Sequence, residues 1–345
     1  MSGPLRLSVL DQSPVSEGST GAQALRNTID LARLADTLGY HRYWVAEHHG
    51  SLSLAGTSPE ALIGPIAAVT TRLRVGSGGV MLPHYSPRKV AETFSVLSGL
   101  FPGRIDLGVG RTAGADEVTT RALQRDRRLV PADDFPEQLV ELLFYLGDRL
   151  GGKHPFAALA ALPGRPESPE PWLLGSSHDS AVWAAQAGLP YAFGDFINPG
   201  GAASAAAYAS RFEAGRLAAP RVAVAVAVVC ASTDAEAQRL ASSGRMARAL
   251  RAKGREIRVP SVEAATAYLA EHGVPADYGP RGPRAIVGDP ATVRSRIEEI
   301  ARDYGAEEVI VVTITHDHAA RRRSYELIAE AFALPGTGTP QAAAA

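Results

Sequence analysis

The sequence predicts a (β/α)8 TIM barrel with insertions after its fourth and seventh strands, and three observations carry that prediction. Eight short β-branched or aliphatic runs punctuate the chain, at Leu5–Leu10, Tyr43–Ala46, Leu73–Val75, Ile105–Val109, Trp172–Leu174, Tyr191–Phe193, Val222–Cys230 and Val309–Ile314. Stretches of helical periodicity separate most of them, and such alternation builds parallel strands joined by right-handed crossovers. Most of the runs are followed at once by a polar or glycine-rich cluster, the place where a barrel assembles its active site.

Taken in order, Leu25, Ile29, Ala32, Ala35 and Leu38 share one helical face after the first run, as do Val90, Phe94 and Leu97 after the third. Pro87 and Pro290 suit first turns of helices, where a missing N–H costs nothing. Val222–Val229 is apolar throughout, as a strand buried on both faces requires. Two gaps exceed a single helical crossover, Thr112 to Pro171 and Ala231 to Glu308. The expected organisation is therefore one barrel domain over 1–334, with insertions near 112–170 and 231–288 lying over the mouth as a lid. The Gly/Pro/Ala-rich tail, 335–345, reads as disordered.

The 345 residues are 46% hydrophobic and 21% charged, ample for a large core. Thirty-five basic residues balance thirty-six acidic ones, and the net charge of -1 gives no electrostatic reason to expect nucleic acid or an anionic membrane as partner. A small-molecule substrate fits better. One cysteine, Cys230, excludes an intrachain disulfide and a cysteine-rich metal centre. The longest apolar run, Val222–Ala231, is half a membrane span, and no signal-peptide pattern opens the chain, so the expected compartment is the cytoplasm.

Glu47-His48-His49 follows the second run. A histidine there can exchange protons near neutral pH, with Glu47 orienting a neighbour; side-chain alternation requires only one of the pair to enter the mouth. A turn with both rings satisfied by backbone, or a metal site, is the alternative. Gly175-Ser176-Ser177-His178-Asp179-Ser180 joins the fifth run to a helix and presents hydroxyls and free N–H groups, a cradle for phosphate with Arg111 as its cationic partner. An ordinary capped helix and a solvated arginine would look the same. Ser77-Gly78-Gly79 lets a flat ring lie against backbone, or marks a simple bulge. His316 and His318 read as solvated loop histidines, and no metal is expected.

Together these segments resemble the bacterial luciferase-like, flavin-dependent monooxygenase family. Tyr43-Trp44-Val45-Ala46-Glu47-His48-His49 is similar to its Trp-x-x-Glu-His-His strand, and Leu73 through Pro83 to its next, flavin-contacting strand. Arg104 through Arg111 is similar to its fourth-strand segment, and Ser176-Ser177-His178-Asp179-Ser180 through Pro190 to its phosphate-binding segment. The resemblance implies a barrel that binds reduced FMN, with Ser77, Gly78 and Gly79 beside the ring and Arg111, Ser176, Ser177 and Ser180 at the phosphate. It implies a catalytic His48 supported by His49 and Glu47, and a non-proline cis peptide between Gly78 and Gly79. FMNH2 would come from a separate NAD(P)H:flavin reductase and react with O2 to a C4a-peroxyflavin that oxidises a small organic substrate. A homodimer through the helices near Pro59–Thr70 and Pro87–Leu100 is implied as well. Gly110 stands where the luciferase α subunit has a reactive cysteine, and Ser176 where it has an acidic residue, so light emission is not implied. The rival readings are an F420-dependent oxidoreductase of the same superfamily, a non-catalytic flavin-binding protein, and a metal-dependent barrel hydrolase.

Overall fold

The computed structural model describes residues 4–111, 117–123, 134–147, 168–274 and 285–336. Among the described residues nine strands appear: β1 (Arg6–Asp11), β2 (Arg42–Val45), β3 (Arg74–Met81), β4 (Ile105–Gly110), β5 (Glu170–Gly175), β6 (Tyr191–Gly194), β7 (Val222–Cys230), β8 (Ala285–Gly288) and β9 (Glu308–Val312). The helices are α1 (Gly21–Leu38), α2 (Pro59–Ala68), α3 (Pro87–Leu100), α4 (Glu117–Leu123), α5 (Phe135–Tyr145), α6 (His178–Gln186), α7 (Ala202–Ser210), α8 (Asp234–Arg251), α9 (Val262–Glu271), α10 (Pro290–Tyr304) and α11 (His318–Ala331). The strands run β6-β5-β4-β3-β2-β1-β9-β7, all pairs parallel, and β6 pairs with β7 to close an eight-stranded ring. This is the expected (β/α)8 barrel.

The ninth strand comes from the length of β7. Its first half pairs with β6 and β9, and its second half, Ala227 to Cys230, continues past them to pair with Ala285 to Gly288. The eighth strand expected from sequence is thus β9, and β8 is an addition. Two other expectations shift. β3 is not a short run ended by glycines but continues through them to Met81, with a register shift between Gly78 and Val80. On α1, Ile29, Ala32, Ala35 and Leu38 do belong to or pack against the core, but the face widens to Ala24, Thr28 and Leu31, with Thr28 drawn inward by bonds from the Tyr43 hydroxyl to its carbonyl and between its own hydroxyl and Ser13. Pro87 and Pro290 do open α3 and α10.

The larger core lies between the barrel wall and its helices, with Val90, Phe94 and Leu97 of α3 among its members. The barrel interior is filled by a smaller set, in which Trp44 and Trp172 meet edge to face at 5.3 Å among small side chains such as Ala192, Ala223 and Ala225. After β4 the chain forms α4 and α5; the Pro/Gly-rich segment expected at Pro163 to Pro171 lies outside the described residues up to 167, as does the tail from 337. After β7 the insertion forms α8 and α9. Its return is pinned: Val259 exchanges backbone bonds with Val15 and Glu17 after β1, and Glu256 accepts from Ser51 and Ser53 after β2. The insertion therefore stands as an arch over the mouth.

Candidate active site

At the C-terminal end of the barrel a cavity of about 1350 Å³ opens between the strand ends and the arch. Of the ten residues singled out from sequence, Glu47, His48, His49, Gly78, Gly79, Arg111, Ser176, Ser177 and Ser180 line it. Ser77 does not: it is fully buried, and its hydroxyl donates to the Gly108 carbonyl at 2.9 Å, tying β3 to β4. The strand-one cluster also divides. Gln12 lines the cavity, whereas Asp11 is committed to the Arg321 guanidinium at 2.8 Å and to the Tyr43 hydroxyl.

Both histidines reach the cavity because β2 ends at Val45, so strand alternation no longer sorts His48 from His49. Glu47 is 1% exposed, and its carboxylate is fully employed. It accepts from the Tyr85 hydroxyl and the Met81 N–H, each at 2.9 Å, and pairs with His49 Nε2 at 2.6 Å. These bonds fix the end of β3 and the His49 ring, which meets His84 edge to face at 6.0 Å. Tyr85 and His84 were not singled out from sequence; nothing in Pro83-His84-Tyr85-Ser86 signals that the turn folds back on Glu47. His48 is held differently. Its backbone N–H donates to the Gly56 carbonyl at 2.7 Å, while its side-chain Nδ1 is buried without a hydrogen-bond partner. Burial, then the Arg251 cation and His49, outweigh the Glu256 carboxylate and push its pKa down to about 4, so the ring is neutral at physiological pH.

The Gly78–Gly79 peptide is cis. A Cβ on Gly78 would lie 2.6 Å from Leu10 Cδ1 and 3.0 Å from Trp44 Cβ, and one on Gly79 would lie 2.8 Å from the Gly108 carbonyl oxygen. No side chain fits at either position, and the cavity wall there is bare backbone. Farther round, Ser177 caps α6, accepting from the Ser180 N–H at 3.3 Å. The Ser180 hydroxyl is turned inward to the Ser177 carbonyl at 2.8 Å and the Tyr191 hydroxyl at 2.9 Å, so it braces the turn. Arg111 follows β4 and lies over the Trp183 ring at 5.1 Å. A helix N-terminus flanked by a guanidinium and Ser176 is an anion site by dipole and donor count.

These residues fit a flavin mononucleotide: a flat backbone wall, an orphaned polar atom at His48 Nδ1, and a cationic, N–H-rich end. The comparisons agree on the class. Residues 5–308 match the luciferase-like monooxygenase family, and the chain belongs to it. It is 47% identical to the uncharacterized protein YwcH of Bacillus subtilis, over 95% of this chain and 99% of the relative. It is 38% identical to the N-acetyl-S-alkylcysteine monooxygenase of the same bacterium, over 95% of this chain and 98% of that one. Among solved structures, apo-MsnO8 superposes with a TM-score of 0.87 at 42% identity, covering 96% of this chain and 99% of the other. More distant barrels, among them a type II Baeyer-Villiger monooxygenase with FMN and an F420-dependent secondary alcohol dehydrogenase, share the fold at 20% and 14% identity. Among the described residues no helix is long and apolar enough to cross a membrane.

Proposed function

We propose that this chain is an FMN-dependent monooxygenase that takes FMNH2 from a separate NAD(P)H:flavin reductase, and O2, and oxidises a small organic substrate. The observation that carries the reading is the pairing, in one cavity, of the bare Gly78–Gly79 wall with a neutral, unpartnered His48 on one side and the Arg111–α6 anion site on the other. Bound reduced FMN supplies the two electrons that activate O2. The chain's own residues do the rest. Arg111, Ser176 and the N-terminus of α6 hold the phosphate, and Gly78 and Gly79 let the ring approach the backbone. His48 accepts or returns a proton at its imidazole nitrogens, poised by neutrality to act as a base at pH 7. Glu47 is a positioning residue, holding His49 and the turn at Met81 and Tyr85. The arch from α8 to Val259 excludes water.

One relative supports a soft thioether acceptor, the N-acetyl-S-alkylcysteine monooxygenase, by its named substrate. The same reading places the protein in the cytoplasm, beside a reductase, and as a homodimer through α2 and α3, where Val96 and Leu100 are left exposed. The test is oxygen uptake in a reductase-coupled assay with 18O2, screening thioethers and N-acetyl-S-alkylcysteines. Substrate-dependent incorporation of one labelled atom is expected. Turnover with F420H2 but not FMNH2, or flavin-independent, metal-dependent hydrolysis, would replace the reading; bound FMN without substrate-dependent uptake would reduce it to a flavin carrier.

A further inference from the structure

We propose that Arg251, with Arg248 one turn before it on α8, is the anchor for a carboxylate on the substrate, so that the cavity selects organic anions over neutral molecules. This rests on the FMN-monooxygenase reading and adds the substrate class. The first observation is a helical face. Gln238, Ala241, Arg245, Arg248 and Arg251 all line the cavity, at spacings of three and four, so α8 lays one side along the mouth. The second is charge. Among the described residues five arginines line the cavity against two carboxylates, Glu47 and Glu256. Both carboxylates are held within the protein: Glu47 by His49, Tyr85 and Met81, and Glu256 by Ser51 Oγ at 2.5 Å and Ser53 Oγ at 3.1 Å, with Arg251 in a longer ion pair to it.

The third observation separates Arg251 from its neighbours. Arg245 is fastened to the side-chain and backbone oxygens of Gln238. Arg251 has only a loose approach to Glu256 at 3.6 Å and one long bond to Ser53 Oγ at 3.5 Å, with its side chain 64% exposed. A planar guanidinium with donors to spare receives a carboxylate through two parallel bonds. Its position matters as much. Arg111 stands at the other wall, over Trp183, where the phosphate is to be held, whereas Arg251 is close enough to His48 for its charge to act on that ring. A second cationic pole beside the reaction centre is surplus to the cofactor's single phosphate. The wall between is apolar, with Leu54, Phe196, Val229 and Val259 suited to the body of the same molecule.

The experiment uses the full chain loaded with oxidised FMN, titrated calorimetrically with 4-(methylthio)butanoate and 3-phenylpropanoate and with their primary amides. The acids should bind at least about tenfold more tightly, the scale of one charge-assisted contact. R251Q should remove that preference, and R248Q reduce it, while FMN affinity measured separately stays within about twofold. Amides binding as well as acids, no binding by either acid, or a preference that survives R251Q would overturn the proposal. So would R251-dependent binding of F420 without binding of the free acids, since the arginines would then serve that cofactor's acidic tail. Failure of FMN to bind would count against the functional reading alone, because the acid-against-amide comparison can be repeated on flavin-free protein.

Discussion

The two ends of this barrel are made from the same strands and treat charge in opposite ways. At the N-terminal end Arg42 is 2% exposed, yet it is bonded to Asp106 at 2.8 Å and Glu308 at 3.0 Å, with its guanidinium 4.6 Å over the Trp172 ring. Asp106 also accepts from Trp44 Nε1 and Arg74, and Glu308 from Ser8. Each charge there is matched within the protein. At the C-terminal end some groups are held loosely or not at all: Arg251 reaches Glu256 only at 3.6 Å, His48 Nδ1 is orphaned, and the wall at Gly78–Gly79 is bare backbone. The comparison separates groups spent on holding the barrel from groups left over at the cavity.

Breaking the matched end should have the largest effect. Arg42→Met leaves Asp106 and Glu308 buried without their cation, and a loss of about 3–5 kcal/mol is expected in urea unfolding, with a falling yield of folded protein. A variant as stable as the parent would mean the cluster is not what closes this end. The cavity end should behave in reverse. His48→Ala is expected to lower substrate oxidation by roughly a hundredfold to ten-thousandfold while leaving FMN affinity and the unfolding midpoint nearly intact; unchanged turnover would remove the assigned role. Arg111→Gln should weaken FMN binding by roughly tenfold to a hundredfold, read by fluorescence quenching, with little change in stability.

The smallest expected effect is one of pH. Burial pushes both His41 and His48 down to about 4, against the Glu308 carboxylate but with Arg42 and Arg6 at His41, and with Arg251 and His49 against Glu256 at His48. The unfolded chain then binds protons that the folded one refuses, so stability rises with pH through this window. It should be fully present above about pH 6.5, the ordinary histidine value, and decline as pH falls toward 4. His48→Gln should flatten that decline, and R251Q should move the His48 titration upward by NMR. A stability profile that is the same with and without His48 would show that its ring is not held neutral.

Much of the fold was legible because barrel strands are short, apolar and followed by polar ends. β8 escaped because Ala-Ile-Val-Gly is four residues long and exists only where β7 outruns its ring neighbours. The α1 face is wider than expected because Thr28 is buried by hydrogen bonds that hydrophobic periodicity does not register. In the site, the motif pointed to loops that meet at one cavity but not to which side chains are spent internally. Ser77 and Ser180 serve the backbone and Tyr191, and Glu47 is held by Tyr85 across a turn. Arg251 carried no sequence signal, since its place at the mouth depends on the arch folding back to the β1 and β2 loops.

The cofactor is decided by an anaerobic titration of the full chain with FMNH2 and, separately, with F420H2, followed by air while absorbance is recorded. Saturable binding of FMNH2, with slowed reoxidation of the bound flavin relative to free flavin and no binding of F420H2, is the result predicted. Binding of F420H2 alone would contradict it.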